Sequence, residues 1–223
     1  MKDLLNGWGP TAAVFLPLVG VAVMLAIPKS EETLHKVVAL ATSLAVFVVG
    51  VGLLAEFDYD KTAEMQFFVN KTWIEMINSR YIIGVDGISL PLIALTVFVV
   101  PLVIIYSWNH FPEPHNPKAF LILILVLETG MVGTFVAQDL LLFFVFFELV
   151  LLPMYFMIGV YGGEDRKYDS LKFFLYTAFG SALMIVAILA TYFLSPKVNI
   201  DGEMMHTFSM IELSKWGGAG LAK

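Results

Sequence analysis

The 223-residue chain sets 13 Lys and Arg against 19 Asp and Glu, is 59% hydrophobic and only 14% charged, and has a mean hydropathy of +0.83. Such a composition excludes an ordinary water-soluble domain, and the net charge of −6 leaves no basic face to neutralise the phosphates of a nucleic acid. Cysteine is absent, which excludes disulfides, thiolate metal sites and iron–sulfur ligation by this chain.

The pattern predicts an all-α polytopic membrane bundle of about six spans. Residues 1–54 hold two of them, over roughly 10–27 and 37–54, with Trp8 as an interfacial anchor and Pro17 as a source of a kink. The first apolar run ends in Pro28-Lys29 without a small-residue cleavage pattern, so it reads as a retained span rather than a signal peptide. Residues 55–87 form the one extended loop, where short apolar runs near 66–69 and 81–83 suggest a hairpin on the membrane surface with a half-buried turn around Trp73. A third span covers 88–109, with Ser89 as its N-cap, Pro91 in the first turn and Pro101 near the other end.

The proline-rich segment after it carries His110 and His115, which lack a third nearby ligand and read as parts of a solvated connector rather than a metal site. His35 and the Met204, Met205, His206 group read the same way. Residues 118–194 supply helices four to six, the sixth starting near Leu171, and 195–223 form a polar tail with a short amphipathic turn over 211–216. Both termini then share one side. By the lysines and arginines of the opposite loops (Lys29, Lys36, Lys118, Arg166 and Lys167) that side is extracytoplasmic.

Helices four and five carry the chemistry. Glu128 lies ten residues before Gln138 and Glu148 ten after it, about 15 Å along each helix from the turn, the midplane of a hydrocarbon layer about 30 Å thick. An acidic side chain there costs about 2.5–3.5 kcal/mol on insertion scales, so each carboxyl needs a polar partner, water or a proton. Two readings follow: a proton relay, or permanently protonated carboxyls that hydrogen-bond between helices. Gly130, Gly133, Thr134 and Ala137 form a stripe for close packing, but Glu128 points away from most of it, beside Leu125, Val132 and Phe135. The fourth helix must therefore meet protein on more than one side if Glu128 is shielded from lipid. Pro153 cannot donate to the Leu149 carbonyl, leaving a polar backbone group beside Glu148, either as part of a transfer path or as a packing kink. Lys172 opens the sixth helix, either snorkelling to the interface or lining the polar mouth of an internal hydrophilic path.

Three stretches resemble a known family: GVDGISLPLIALT over 84–96, LETGMVGTFVAQDLLLFFVFFELVLLPMYFMIG over 127–159 and KFFLYTAFGS over 172–181. They are similar to subunit M of the proton-pumping NADH:quinone oxidoreductase, respiratory complex I, whose mitochondrial counterpart is NADH dehydrogenase chain 4. The resemblance implies an antiporter-like subunit with Glu148 as the essential fifth-helix glutamate, Glu128 as the fourth-helix glutamate and Lys172 as the lysine that opens the sixth helix. It also implies about fourteen spans in two inverted five-helix repeats, a later lysine that pairs with the fifth-helix glutamate, and hence that this chain is the N-terminal part of a longer product or is completed by another chain. The implied partners are the lipid bilayer and the other membrane-arm subunits. NADH, FMN, iron–sulfur clusters and quinone belong to the assembly, with no cofactor held by this chain and no redox site in it. The expected location is multi-pass in the bacterial plasma membrane, or alternatively an organellar inner membrane. A multisubunit cation/proton antiporter, or a structural membrane module, are the alternative functions.

Overall fold

Long apolar stretches satisfy their backbone groups in hydrocarbon only by closing them within each segment, and this chain does so as helices. The computed structural model describes residues 5–200 and 203–220. Among the described residues, six helices are long and apolar enough to cross a membrane: α1 (Gly9–Ala26), α2 (Glu32–Glu56), α3 (Ser89–Ser107), α4 (Pro117–Val136), α5 (Leu140–Tyr161) and α6 (Arg166–Leu194). A short helix, α7 (Met210–Gly220), follows them. The expected sixth helix begins five residues too late and the expected second likewise, because the apolar run marks only the hydrocarbon-embedded part. In both, polar residues with adequate helix propensity extend the helix beyond the membrane. Lys172 is consequently not in the first turn of α6 but in its second.

Helices α1 to α4 pack on one another, α5 lies on α4, and α6 packs mainly on α5 among the spans. Of the apolar stretch of α4, 56% is buried, against 11% for α6, so α4 is the central helix. It meets α1, α2, α3 and α5, which is the multi-sided shielding that Glu128 requires. Two apolar clusters flank its middle. One contains Leu121, Ile124 and Leu125 with Met24 and Ile104, and the other contains Val132 and Val136 with Val14, Val46 and Ile93.

The loop between α2 and α3 folds into an antiparallel hairpin of β1 (Gln66–Ile74) and β2 (Ser79–Val85). Its turn is not around Trp73, which lies on β1; the chain reverses at 75–78, where Asn78 takes a left-handed φ of 48° that asparagine tolerates and Met76 is 90% exposed. A smaller hairpin, β3 (Val198–Ile200) with β4 (Glu203–Met205), follows α6. Between these hairpins the α4–α5 connection runs as an extended strip. Gln138 N–H donates to the Ile82 carbonyl at 2.8 Å, Leu140 N–H to Phe208 at 2.9 Å, and Met210 N–H to Gln138 at 2.9 Å. At the end of α6, the Tyr192 hydroxyl donates to the Ile77 carbonyl at 3.1 Å and its ring stacks on Phe208 at 4.2 Å.

The cap of α3 differs from the expectation. Asp86 Oδ1 accepts from Ser89 N–H at 2.7 Å and from Ile88 N–H at 3.1 Å, while Ser89 Oγ accepts from Asp86 N–H at 2.9 Å. Asp86 is the capping side chain and Ser89 reciprocates from three residues on, because two orphan donors are satisfied by one exchange.

On the opposite side, His35 is not in a solvated connector. It is fully buried, and its Nε2 donates to the Pro28 carbonyl at 3.0 Å, the carbonyl fixing which nitrogen carries the proton because it can only accept. The turn folds α2 back over the end of α1, where unsatisfied carbonyls need donors. Lys118 supplies two more, its Nζ lying 2.6 Å from the Ile27 carbonyl and 3.3 Å from that of Leu25. Lys118→Met keeps the stem and removes these donors, and is expected to lower stability by about 1 kcal/mol, read as a lower midpoint of thermal unfolding in detergent. An unchanged midpoint would show that water replaces the ammonium without loss.

Candidate functional site

Glu128 stands where α4 passes between the two apolar clusters, with fully buried Leu125 and Val132 on its own face. The residue is fully buried, and neither carboxyl oxygen has a hydrogen-bond partner. That is an unusual state for a group whose desolvation is so unfavourable. The next residue, Thr129, is also fully buried and its hydroxyl is unpartnered.

Helix α5 packs closely on α4, on a face turned away from Glu128. A Cβ on Gly130 would stand 2.7 Å from Val150 Cγ2 and 3.3 Å from the Phe146 carbonyl, and one on Gly133 would fall within the Phe146 ring. Only glycine admits helix backbones this near. Glu148, half-buried with Oε1 enclosed and unpartnered, lines a cleft of about 500 Å³ between α1, α4, α5 and the β1–β2 hairpin. Phe15, Leu142, Phe146 and Leu149 form apolar walls, Thr129 contributes from α4, and Trp73 and Tyr81 from the hairpin stand at the surface end. The Tyr81 hydroxyl donates to Thr11 Oγ1 at 3.2 Å, and burial pushes its phenol upward, so it remains a neutral donor at physiological pH.

Lys172 is elsewhere. It is exposed on α6 with Nζ 5.7 Å from the Tyr168 ring centre, and does not line the Glu148 cleft. His110 stacks on Tyr106, and His115 Nε2 lies 3.2 Å from a Glu32 carboxyl oxygen. Among the described residues, no group of three or more His, Asp or Glu is placed to hold a metal ion. His206 packs against Tyr192 and Phe193, and its carbonyl accepts from Asn78 Nδ2 at 2.9 Å, so this part of the tail is docked rather than a free connector.

Asp139, in the turn between α4 and α5, is fully buried and organises the surface end of the site. Its Oδ1 accepts from Leu141 and Leu142 N–H and from Ser79 Oγ, each at 3.1 Å, and its Oδ2 accepts from Arg80 N–H at 3.0 Å. Burial raises its carboxyl above the usual aspartate range, and these four donors hold the rise back. The signal was present as an aspartate immediately before a long apolar run, the mark of an N-cap. Thr129 gave no such mark, because whether it borders the cleft depends on where α5 crosses.

Six spans, a central helix with an unpartnered buried carboxyl and a second carboxyl in an adjacent cleft define a polytopic membrane protein of the antiporter-like class. Residues 60–134 match the family model described as NADH-ubiquinone oxidoreductase chain 4, amino terminus, and residues 137–219 the model described as NADH:quinone oxidoreductase/Mrp antiporter, TM. The chain is 40% identical over 203 residues to NADH-quinone oxidoreductase subunit M of Rhodobacter capsulatus, covering 89% of this chain and 38% of that one. With NADH-ubiquinone oxidoreductase chain 4 of Arabidopsis thaliana it shares 38% identity, over 88% of this chain and 39% of the relative. A chain of respiratory complex I from Thermus thermophilus superposes with a TM-score of 0.73 at 25% identity, over 92% of this chain and 38% of that one. The chain belongs to the NADH-quinone oxidoreductase subunit M/chain 4 family, and spans less than two fifths of the length of these relatives.

Proposed function

We propose that this chain forms the N-terminal part of a membrane-arm subunit of a proton-pumping NADH:quinone oxidoreductase, in which Glu128 and Glu148 hold and exchange protons. The observation that carries the reading is the pair of unpartnered Glu128 oxygens at full burial beside a cleft that reaches Glu148. A structural carboxyl in hydrocarbon acquires a hydrogen-bond partner; one that must take up and release a proton is better left without a fixed one. Glu148 faces the cleft that opens toward the hairpin side, and Glu128 is enclosed, so Glu148 exchanges with water more readily and Glu128 acts as the inner acceptor.

The chain's own part is proton movement. NADH, FMN, iron–sulfur clusters and quinone are held by other subunits, in keeping with the absence of cysteine here. Redox work done there changes the distance between Glu148 and a cation on helices beyond this chain, and with it the affinity of Glu148 for its proton. Moving one charge against 100 mV takes about 2.3 kcal/mol, so a modest change in a partner's distance suffices. Lys172, exposed beside Tyr168, acts at the interface rather than in the cleft.

The test is NADH-driven proton uptake by the complete assembly in proteoliposomes, with Glu148→Gln against the parent. Glutamine keeps the shape and cannot cycle a proton, so uptake is expected to fall at least tenfold in an intact assembly. Unchanged uptake would remove Glu148 from the path. The second family model also names Mrp antiporters, which favours one other reading, cation/proton exchange without an NADH-linked reaction. Sodium-dependent proton exchange in vesicles lacking any redox partner would establish it instead.

A further inference from the structure

Threonine inside a helix ordinarily returns its hydroxyl proton to the carbonyl four residues back. Five threonines of the spans do so: Thr42 to Val38 at 2.7 Å, Thr96 to Leu92 at 2.9 Å, Thr134 to Gly130 at 2.8 Å, Thr177 to Phe173 at 2.7 Å and Thr191 to Ala187 at 2.8 Å. Thr129 does not, although it is fully buried. Its hydroxyl is left uncommitted, next to Glu128 in sequence and on a residue that lines the cleft together with Glu148. The approach at Gly130 sets this part of α4 against Phe146 and Val150 of α5, which flank Glu148 in sequence. A hydroxyl both donates and accepts, which a relay between two carboxyls requires.

We propose that the Thr129 hydroxyl is the relay through which a proton passes between Glu128 and Glu148, with water in the cleft completing the chain where direct reach falls short. The proposal rests on the proton-transfer reading above. The Thr129 hydroxyl bonds to neither glutamate directly, so a water bridges each leg. As the Glu128 carboxyl O–H bond breaks, its proton bonds to the first water, which gives up one of its own protons to Thr129 Oγ1. The O–H bond already on Thr129 breaks, and that proton bonds to the second water, which gives up one of its own to form a new O–H bond on the Glu148 carboxylate. One proton moves, no electrons are exchanged, and Thr129 is regenerated with its hydroxyl rotated. The reverse passage uses the same atoms. A hydroxyl bound to the Leu125 carbonyl would be held out of this exchange.

The experiment compares Thr129→Val, Thr129→Ser and Glu148→Gln in the complete assembly, reading proton uptake in proteoliposomes together with the carboxyl C=O stretch in infrared difference spectra. Valine keeps the shape without the hydroxyl, and is expected to slow uptake at least tenfold and shift the carboxyl band that Glu128→Gln removes. Serine is expected to remain within about threefold of the parent, with the band in place. Equal slowing by valine and serine would mean that packing, not the hydroxyl, is at work, and would overturn the relay. Parent-like uptake in Thr129→Val with Glu148→Gln arrested would overturn the relay alone, whereas parent-like uptake in Glu148→Gln would remove the underlying reading and the relay with it. Should the valine variant fail to assemble, Thr129→Ala against Thr129→Ser makes the same comparison.

Discussion

Asp139→Ala is expected to destabilise the folded chain by about 3 kcal/mol. The figure combines the loss of a helix N-cap, about 0.5–2 kcal/mol, with the cost of leaving buried donors unsatisfied, about 1–3 kcal/mol. The donors are the N–H groups of Arg80, Leu141 and Leu142 and the Ser79 hydroxyl, which converge on one fully buried carboxyl. Asp139→Asn retains an acceptor for three of them but sets its amide N–H₂ against Arg80 N–H, so an intermediate loss is expected. The comparison is made by thermal unfolding in detergent, with limited proteolysis at the hairpin as a local readout; a loss below about 0.5 kcal/mol for alanine would show that water replaces the carboxyl freely. The pH dependence has a definite sign. Because burial raises the folded-state value above the unfolded one, the folded chain holds this proton more tightly, and the group's contribution falls as pH climbs from the ordinary aspartate range through the raised value. Asp139→Asn removes that slope.

Gly133→Ala is expected to force α4 and α5 apart. The new methyl carbon would be driven against the ring of Phe146, which is itself buried. Overpacking of this kind costs about 1–3 kcal/mol, and here it also displaces α5 one half-turn from Glu148. Both stability and proton uptake are therefore expected to fall. Phe146→Leu in the same chain gives the methyl room, and the pair is expected to recover a large part of the stability that Gly133→Ala loses. Strict additivity of the two changes would show that the strain lies elsewhere.

The membrane character, the number of spans and the mid-helix positions of Glu128 and Glu148 follow from hydropathy and counting, because the cost of a charge in hydrocarbon makes such residues conspicuous in one dimension. The ends of α2 and α6 were less legible, since hydropathy stops at the membrane surface while the helix does not. His35 was misread for a related reason. A polar residue in a short turn looks solvated until the turn is seen to close over the exposed carbonyls of α1, and the need for a donor there is a tertiary fact. Thr129 lay further out of reach, because nothing local distinguishes it from Thr134, whose hydroxyl returns to its own helix. The role of Asp139 was half legible: its N-cap position is written beside the apolar run, but Ser79 and Arg80 are some sixty residues earlier in the chain.

The extended strip between α4 and α5 also sets a datum for the two glutamates. Ala137 pairs with Ile83 and Asp139 with Ser209, so the strip is fastened on both edges at the rim of the bundle. Glu128 hangs from one end of it and Glu148 from the other, each about three helical turns below. Their levels are thus referred to one benchmark rather than to two independently floating helices. If the bilayer thins or the bundle rises or sinks along the membrane normal, both carboxyls shift together and the offset between them is conserved, as two plumb lines cut to one length stay level whatever the height of the beam.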